Sequence, residues 1–333
     1  MPMSLWGRFT SARSAASAPV LVWDAALDDD EVRTIAQGLP RDGDFAPAAA
    51  LLERVGRDWA RRVVAVTALG EVAALHPEWL WTWRVERPES PDPLVVMAAA
   101  TVRAAWNARG AKQASLTSGR EFADFHELLV EADRACLLAT EAAADDPTPW
   151  VSWLRVCRGL GVSRAVFDAR WDALCERDPA HRAGHDAALQ YLCEKWRGSH
   201  ADMYTFARRA AADAPDGSPL VILLVEAHIE YALRMNWDGE TDDTDFWRAA
   251  ARQTDLDTAL DRYPVDAVPR HPSALSDHSA LGYALARSQR WSELAARFEA
   301  TDHRGFHLPW TYPGGRTFFE QAHAEATRGR PRR

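Results

Sequence analysis

A helical phrase that repeats is what most constrains this chain. From Ser118 onward, capping residues, apolar faces at three- and four-residue spacing and tight turns follow one another. Ser118 and Glu121 read as a capping box before Phe122, Phe125, Leu128, Leu129, Ala132 and Cys136. Thr148 reads as the cap of a helix with Pro149 at its first position and Trp150, Trp153, Leu154 and Cys157 on one face. After Gly159–Gly161, Ser163 opens a partner helix carrying Phe167, Trp171, Leu174 and Cys175. The phrase returns from Asp178 and Pro179 (His185, Leu189, Leu192, Cys193, Trp196) to a Ser199/Asp202 box (Met203, Phe206, Ala207, Ala210). It returns again from Ser218 and Pro219 through Val221, Val225, His228, Ile229 and Ala232 to Phe246 and Trp247. A last pair holds Leu281, Leu285, Leu294 and Phe298.

Phe167, Phe206 and Phe246 stand 39 and 40 residues apart, a helical-repeat period, and the longer step to Phe298 marks Tyr263–Pro272 as an insertion. A hairpin of about 35 residues does not recover the entropy of ordering its backbone from the one face that it buries. Neighbours must cover it. The expected fold is therefore all-α, an α-α superhelix of stacked hairpins.

The N-terminal third is less regular. Asp28–Leu39, Phe45–Arg54, Asp58–Leu75 and Leu94–Arg109 read as helices, Val20–Trp23 as a short extended stretch, and Pro88, Pro91 and Pro93 as a break. No alternation persists long enough for a sizeable sheet. The expected organisation is a disordered segment at 1–18, one repeat array at 19–327 and a basic tail at 328–333. The array divides into irregular helices at 19–117, hairpins at 118–302 and a C-terminal loop and capping helix at 303–327.

Charge narrows the partners. The net charge of the 333-residue chain is -9, although Arg328, Arg330, Arg332 and Arg333 crowd its last six residues. An acidic body repels phosphate backbones, so no nucleic acid is expected. The longest apolar runs, Pro93–Val102 and Leu220–Val225, are too short to span a bilayer, and Met1–Ala18 has no signal-peptide core, so the reading is cytoplasmic with no membrane partner. Cys136, Cys157, Cys175 and Cys193 form no CxxC pair and read as buried thiols.

Chemistry-bearing patterns are few. His181 and His185 have the i, i+4 spacing of metal ligands, with Cys193 two turns on and Cys175 or His200 as further donors. Leu189 interrupts that stripe and no acid sits between the histidines as in HExxH, so a packed face is preferred and no metal is assigned. Asp28–Glu31 and Asp242, Asp243 and Asp245 are placed wrongly for the two metal motifs of a class I terpene synthase, and serve as helix-start acids. Nucleotide loops and a GxSxG elbow are missing, so no cofactor and no catalytic residue is nominated.

Fifteen Trp against six Tyr is the compositional oddity. Trp79, Trp81 and Trp83 would form a stacking platform in a strand, or bury Trp79 and Trp83 in a helix. His303–Gly315 reads as a loop that latches the last repeat or docks a partner. Trp106, Arg109, Trp150, Arg155, Trp196, His200, Trp310 and Tyr312, aromatic or polar-tipped residues near helix ends, are the candidate partner-binding set.

Leu281-Gly282, Trp291 and Phe298 resemble the tetratricopeptide pattern, with Leu294 where that pattern places Ala and without its closing Pro. Trp106-Asn107-Ala108-Arg109-Gly110, Asp146-Pro147-Thr148-Pro149-Trp150 and Lys195–His200 followed by Met203 and Phe206 resemble an uncharacterised bacterial helical-repeat family over residues 99–232. The resemblance implies a helical-repeat fold and no particular activity. The expected function is a non-catalytic scaffold for a protein or peptide. The alternatives are an enzyme with a small-molecule or metal site inside the array, and an immunity- or inhibitor-type protein.

Overall fold

The computed structural model describes residues 18–110, 119–237, 244–265, 271–312 and 315–328. The described chain is all-α, and its only strands are two of three residues each. β1 (Val20–Val22) leads into α1 (Asp30–Asp42), α2 (Ala46–Val55), α3 (Trp59–Ala73), α4 (Glu78–Glu86) and α5 (Asp92–Arg109). Then follow α6 (Gly119–Ala142), α7 (Thr148–Leu160), α8 (Arg164–Arg177), α9 (Arg182–Leu192) and α10 (His200–Asp213). A 3-10 turn at Pro219–Ile222 runs into α11 (Leu223–Trp237), and α12 (Thr244–Arg248), α13 (Ala250–Arg262), α14 (Ala274–Arg287) and α15 (Trp291–Ala300) precede β2 (Arg304–Phe306) and α16 (Gly315–Arg328). No single helix among the described residues is long and apolar enough to cross a membrane. Residues 1–17 of the expected disordered segment at 1–18, Ser118 of the first capping box, Asp242 and Asp243, and the tail beyond Arg328 lie outside the described residues.

Local chemistry explains where the helices begin, and corrects two of the expected caps. Ser163, Ser199 and Ser218 each accept a backbone N–H as read, from Val166 (3.4 Å), Asp202 (3.1 Å) and Leu220 (3.3 Å). Thr148, in contrast, does not cap α7. Asp146 Oδ1 accepts the Thr148 N–H at 2.8 Å, so Thr148 and Pro149 occupy the first turn and the Thr148 hydroxyl stays buried without a hydrogen bond. Asp178 likewise closes a turn by accepting the Ala180 N–H at 3.1 Å, which delays α9 until His181 Nδ1 accepts the Gly184 N–H at 3.1 Å. A short acid before Pro-containing sequence satisfies the turn first, and the helix starts after it.

Packing sorts the helices into two sets. α3, α5, α7, α9, α11 and α14 touch one another in that order, while α6, α8, α10, α13 and α15 each pack on the preceding member of the series. Close approach needs small residues: a Cβ on Gly70 of α3 would meet the Ala99 Cβ of α5 at 2.8 Å. α4 is a helix, with Trp79 and Trp83 buried and Trp81 54% exposed, so these three residues form no strand platform. The segment after α15 is a latch that reaches further than the last hairpin. β2 pairs in parallel with β1, Val20 opposite Arg304 and Val22 opposite Phe306, and Arg304 bonds Asp28 at 2.7 Å. Trp310 is buried behind this latch among Tyr283, Phe298 and Phe319.

One buried cation ties the first half together. Arg62 of α3 donates to Asp146 before α7 at 2.6 Å and to Asp92 of α5 at 2.5 Å, and all three side chains are largely shielded from water. Removing the cation strands two carboxylates in the interior. Arg62→Ala is expected to lower the unfolding free energy by about 3–5 kcal/mol in urea titrations; a loss below about 1 kcal/mol would mean that the ion pairs contribute no more than surface ones.

Candidate functional site

The inward helices carry charges where a packed helix would carry aliphatic residues. Glu71 sits one turn beyond Thr67 on α3, Arg103 precedes Trp106 by three on α5, and Arg155 precedes Arg158 by three on α7. Arg182, Asp186 and Gln190 follow at four-residue steps on α9, and Glu226 and Glu230 do so on α11. These spacings put each set on one helical face. All of these residues, with Asp277 of α14, line one cavity of about 500 Å³. The latch completes it: Trp23 after β1 stacks on His307 after β2 at 4.7 Å, and both line the cavity with Tyr312. Trp23 (60% exposed) and Tyr312 (52%) mark its rim.

Most of these charges are matched. Arg103 pairs with Glu71, whose second oxygen accepts the Ala25 N–H at 3.3 Å. Arg182 donates to Asp277 Oδ1 at 2.8 and 3.0 Å and to Glu226 Oε1 at 2.5 Å. Glu230 accepts from Gln190 at 2.6 Å and pairs with Lys195. Burial opposes ionisation of Arg182 and Asp277, but their mutual attraction, with His271 at 2.8 Å from Asp277, outweighs it and shifts both toward the charged form. Burial prevails at Glu226 and pushes its pKa up to about 7 against the pull of Arg182. The Glu226 Oε2 oxygen is buried without a hydrogen bond.

Two guanidiniums are left over. Among the described residues, neither Arg155 nor Arg158 makes a hydrogen bond or an ion pair, and desolvation lowers the pKa of both, outweighing the nearby charges of Asp186 at each, of Glu71 at Arg155 and of Glu230 at Arg158. Asp186 itself has no hydrogen-bond partner among the described residues. Arg158 lies against two indoles, 4.4 Å from the Trp106 ring centroid and 5.3 Å from that of Trp196. The two indoles meet edge to face at 5.6 Å, and Arg109 approaches the same pair at 5.7 and 5.5 Å. Cation–π contact satisfies the charge of a guanidinium but leaves its N–H donors free for an acceptor.

The structure thus brings together four of the eight candidate residues, Trp106, Arg109, Arg155 and Trp196, and puts Tyr312 at the rim. His200 stands near them at the start of α10, 2.6 Å from Glu194 and against the Tyr231 ring. Trp150 is elsewhere, packed on Trp153 at 5.2 Å beneath Arg177, and Trp310 is 1% exposed. Glu71, Arg103, Arg158, Arg182, Asp186, Glu226 and Asp277 escaped the sequence reading. Their signal was present as charges at helical spacing inside otherwise apolar faces, for instance Arg182, Asp186 and Gln190 interleaved with His185 and Leu189.

His181, His185 and Cys193 do not converge. His181 Nδ1 caps α9, His185 Nδ1 meets the His181 carbonyl at 3.1 Å, and the Cys193 thiol donates to the Leu189 carbonyl at 3.3 Å. No group of three or more potential ligands among the described residues is placed to hold a metal ion. His185 packs edge-on to Trp171, and burial pushes its pKa down to about 4. The unfolded chain, with an ordinary imidazole near 6.5, binds the proton first. Stability from the neutral His185 is therefore complete above about pH 6.5 and is lost as the pH falls toward 4, by up to about 1.4 kcal/mol per pH unit. Urea midpoints measured between about pH 7.5 and pH 5 are expected to fall for the natural chain and to fall less steeply for His185→Asn; equal slopes would show that His185 is not the group responsible.

Comparison with family models, with curated proteins and with solved structures gives no match to this chain.

Proposed function

We propose that this protein is a non-catalytic binding protein, a tetratricopeptide-like helical-repeat scaffold that seats its ligand in the cavity between the inward helices. The observation that carries this reading is the pair Arg155 and Arg158, two guanidiniums facing a cavity of about 500 Å³ with no carboxylate bonded to either. A partly desolvated cation without a partner is costly, and a lining that tolerates two of them suits an anionic group supplied from outside. The volume falls in the range of small-molecule sites. This departs from the expected protein or peptide partner: the occupant proposed for the interior is a small molecule, as in the alternative reading, but held without catalysis. Four cysteines that are all free thiols support a reducing compartment, and we place the protein in the cytoplasm.

A macromolecular partner has separate support on the outer surface. Trp81 (54% exposed) and Val85 (79%) stand one turn apart on one face of α4. Such a patch suits protein docking.

Native mass spectrometry of the gently purified protein tests the first reading. A small molecule released only on denaturation, and missing from the Arg155→Met/Arg158→Met double variant, is the expected result. Unliganded natural protein that instead holds a protein partner, with the partner lost in Trp81→Asp, would move the function to the outer patch.

A further inference from the structure

The unsatisfied groups of the cavity are of both kinds, and this deepens the binding reading on which it rests. Donors without acceptors come from α7: the guanidiniums of Arg155 and Arg158. Acceptors without donors come from the next two inward helices: the Asp186 carboxylate on α9 and Glu226 Oε2 on α11. A simple anion would satisfy the first pair and leave the acceptors bare. A simple cation would do the reverse and would meet two uncompensated guanidiniums. Only a molecule carrying an acid and an amine together matches both.

The remaining walls define the rest of the ligand. Val63, Val102 and Ile229 offer aliphatic surface, and the exposed Trp23 ring, held parallel to His307 at an interplanar angle of 9°, gives a flat face at the rim. We propose that the cavity binds a zwitterionic small molecule of amino-acid type with a flat apolar side group, its carboxylate held by Arg155 and Arg158 and its ammonium by Asp186 and Glu226. The side group lies along the aliphatic wall toward the Trp23 rim. An aromatic side group fits within the available volume, and the carboxylate needs no metal or cofactor to be held.

Isothermal titration calorimetry with the full chain tests this with four probes: L-tryptophan, tryptamine, indole-3-propionate and the dipeptide Gly-Trp. L-Tryptophan is expected to bind, and tryptamine and indole-3-propionate to bind about tenfold to a hundredfold more weakly, the loss of one charged hydrogen-bonding pole each. The variants cross with the probes. Arg155→Met, which keeps the side-chain stem, is expected to weaken L-tryptophan but not tryptamine. Asp186→Asn is expected to weaken L-tryptophan but not indole-3-propionate. Gly-Trp binding well below L-tryptophan supports a free amino acid; Gly-Trp binding as tightly overturns the assignment in favour of a peptide end. Indole-3-propionate equal to L-tryptophan overturns it in favour of an anion site. Binding by none of the four overturns it outright. If native mass spectrometry still finds a co-purified small molecule after any of these failures, the zwitterion assignment falls and the binding function stands; if it finds none, both fall.

Discussion

The interior of this protein depends on one buried guanidinium. Arg182, on α9, bonds Asp277 of α14 and Glu226 of α11, so that one side chain ties three inward helices that are far apart in sequence. Asp277 has no exposed surface, and it stays ionised there only because Arg182 and His271 surround it. Such an arrangement contributes less to net stability than to uniqueness, since two charges leave water for every pair made. Here its product is a cavity with fixed polar walls.

Arg62 performs the corresponding work between α3, α5 and the start of α7, and the β1–β2 pairing joins the segment before α1 to the segment between α15 and α16. Together these three ties place charges from six helices around one volume. The Trp23–His307 stack belongs to the third tie, so the rim of the cavity is made by the same segments that pair as β1 and β2. The same segments are anchored in the helical interior, through buried Leu21 and Val22 and through Trp310 against Tyr283, Phe298 and Phe319.

Helix content was legible because apolar residues at three- and four-residue spacing have one main interpretation. Caps were legible where a serine stood alone before a helix, as at Ser163 and Ser199. They were misplaced at Thr148 and Asp178, where an aspartate two residues before a backbone N–H could close a turn of its own. The β1–β2 pairing was not legible, because each strand has three residues and no local pattern names a partner at the other end of the chain. Tryptophan illustrates the limit for the site. Trp106, Arg109 and Trp196 stood out as aromatic or polar-tipped residues near helix ends and do cluster, but Trp310 carries the same credentials and is buried packing. Charges such as Arg182 and Asp186 at i, i+4 interrupt an apolar pattern, but their spacing is also that of a solvated helix face. Whether they face water or a cavity is decided by the helices on either side.

The claim that Arg155 and Arg158 face an occupied binding cavity is tested most directly by a crystal structure of the protein purified under native conditions. Density for a small molecule bridging the two guanidiniums and reaching Asp186 is the expected result. A structure in which both guanidiniums bond directly to Asp186 and the inward helices close on a dry interior would contradict it.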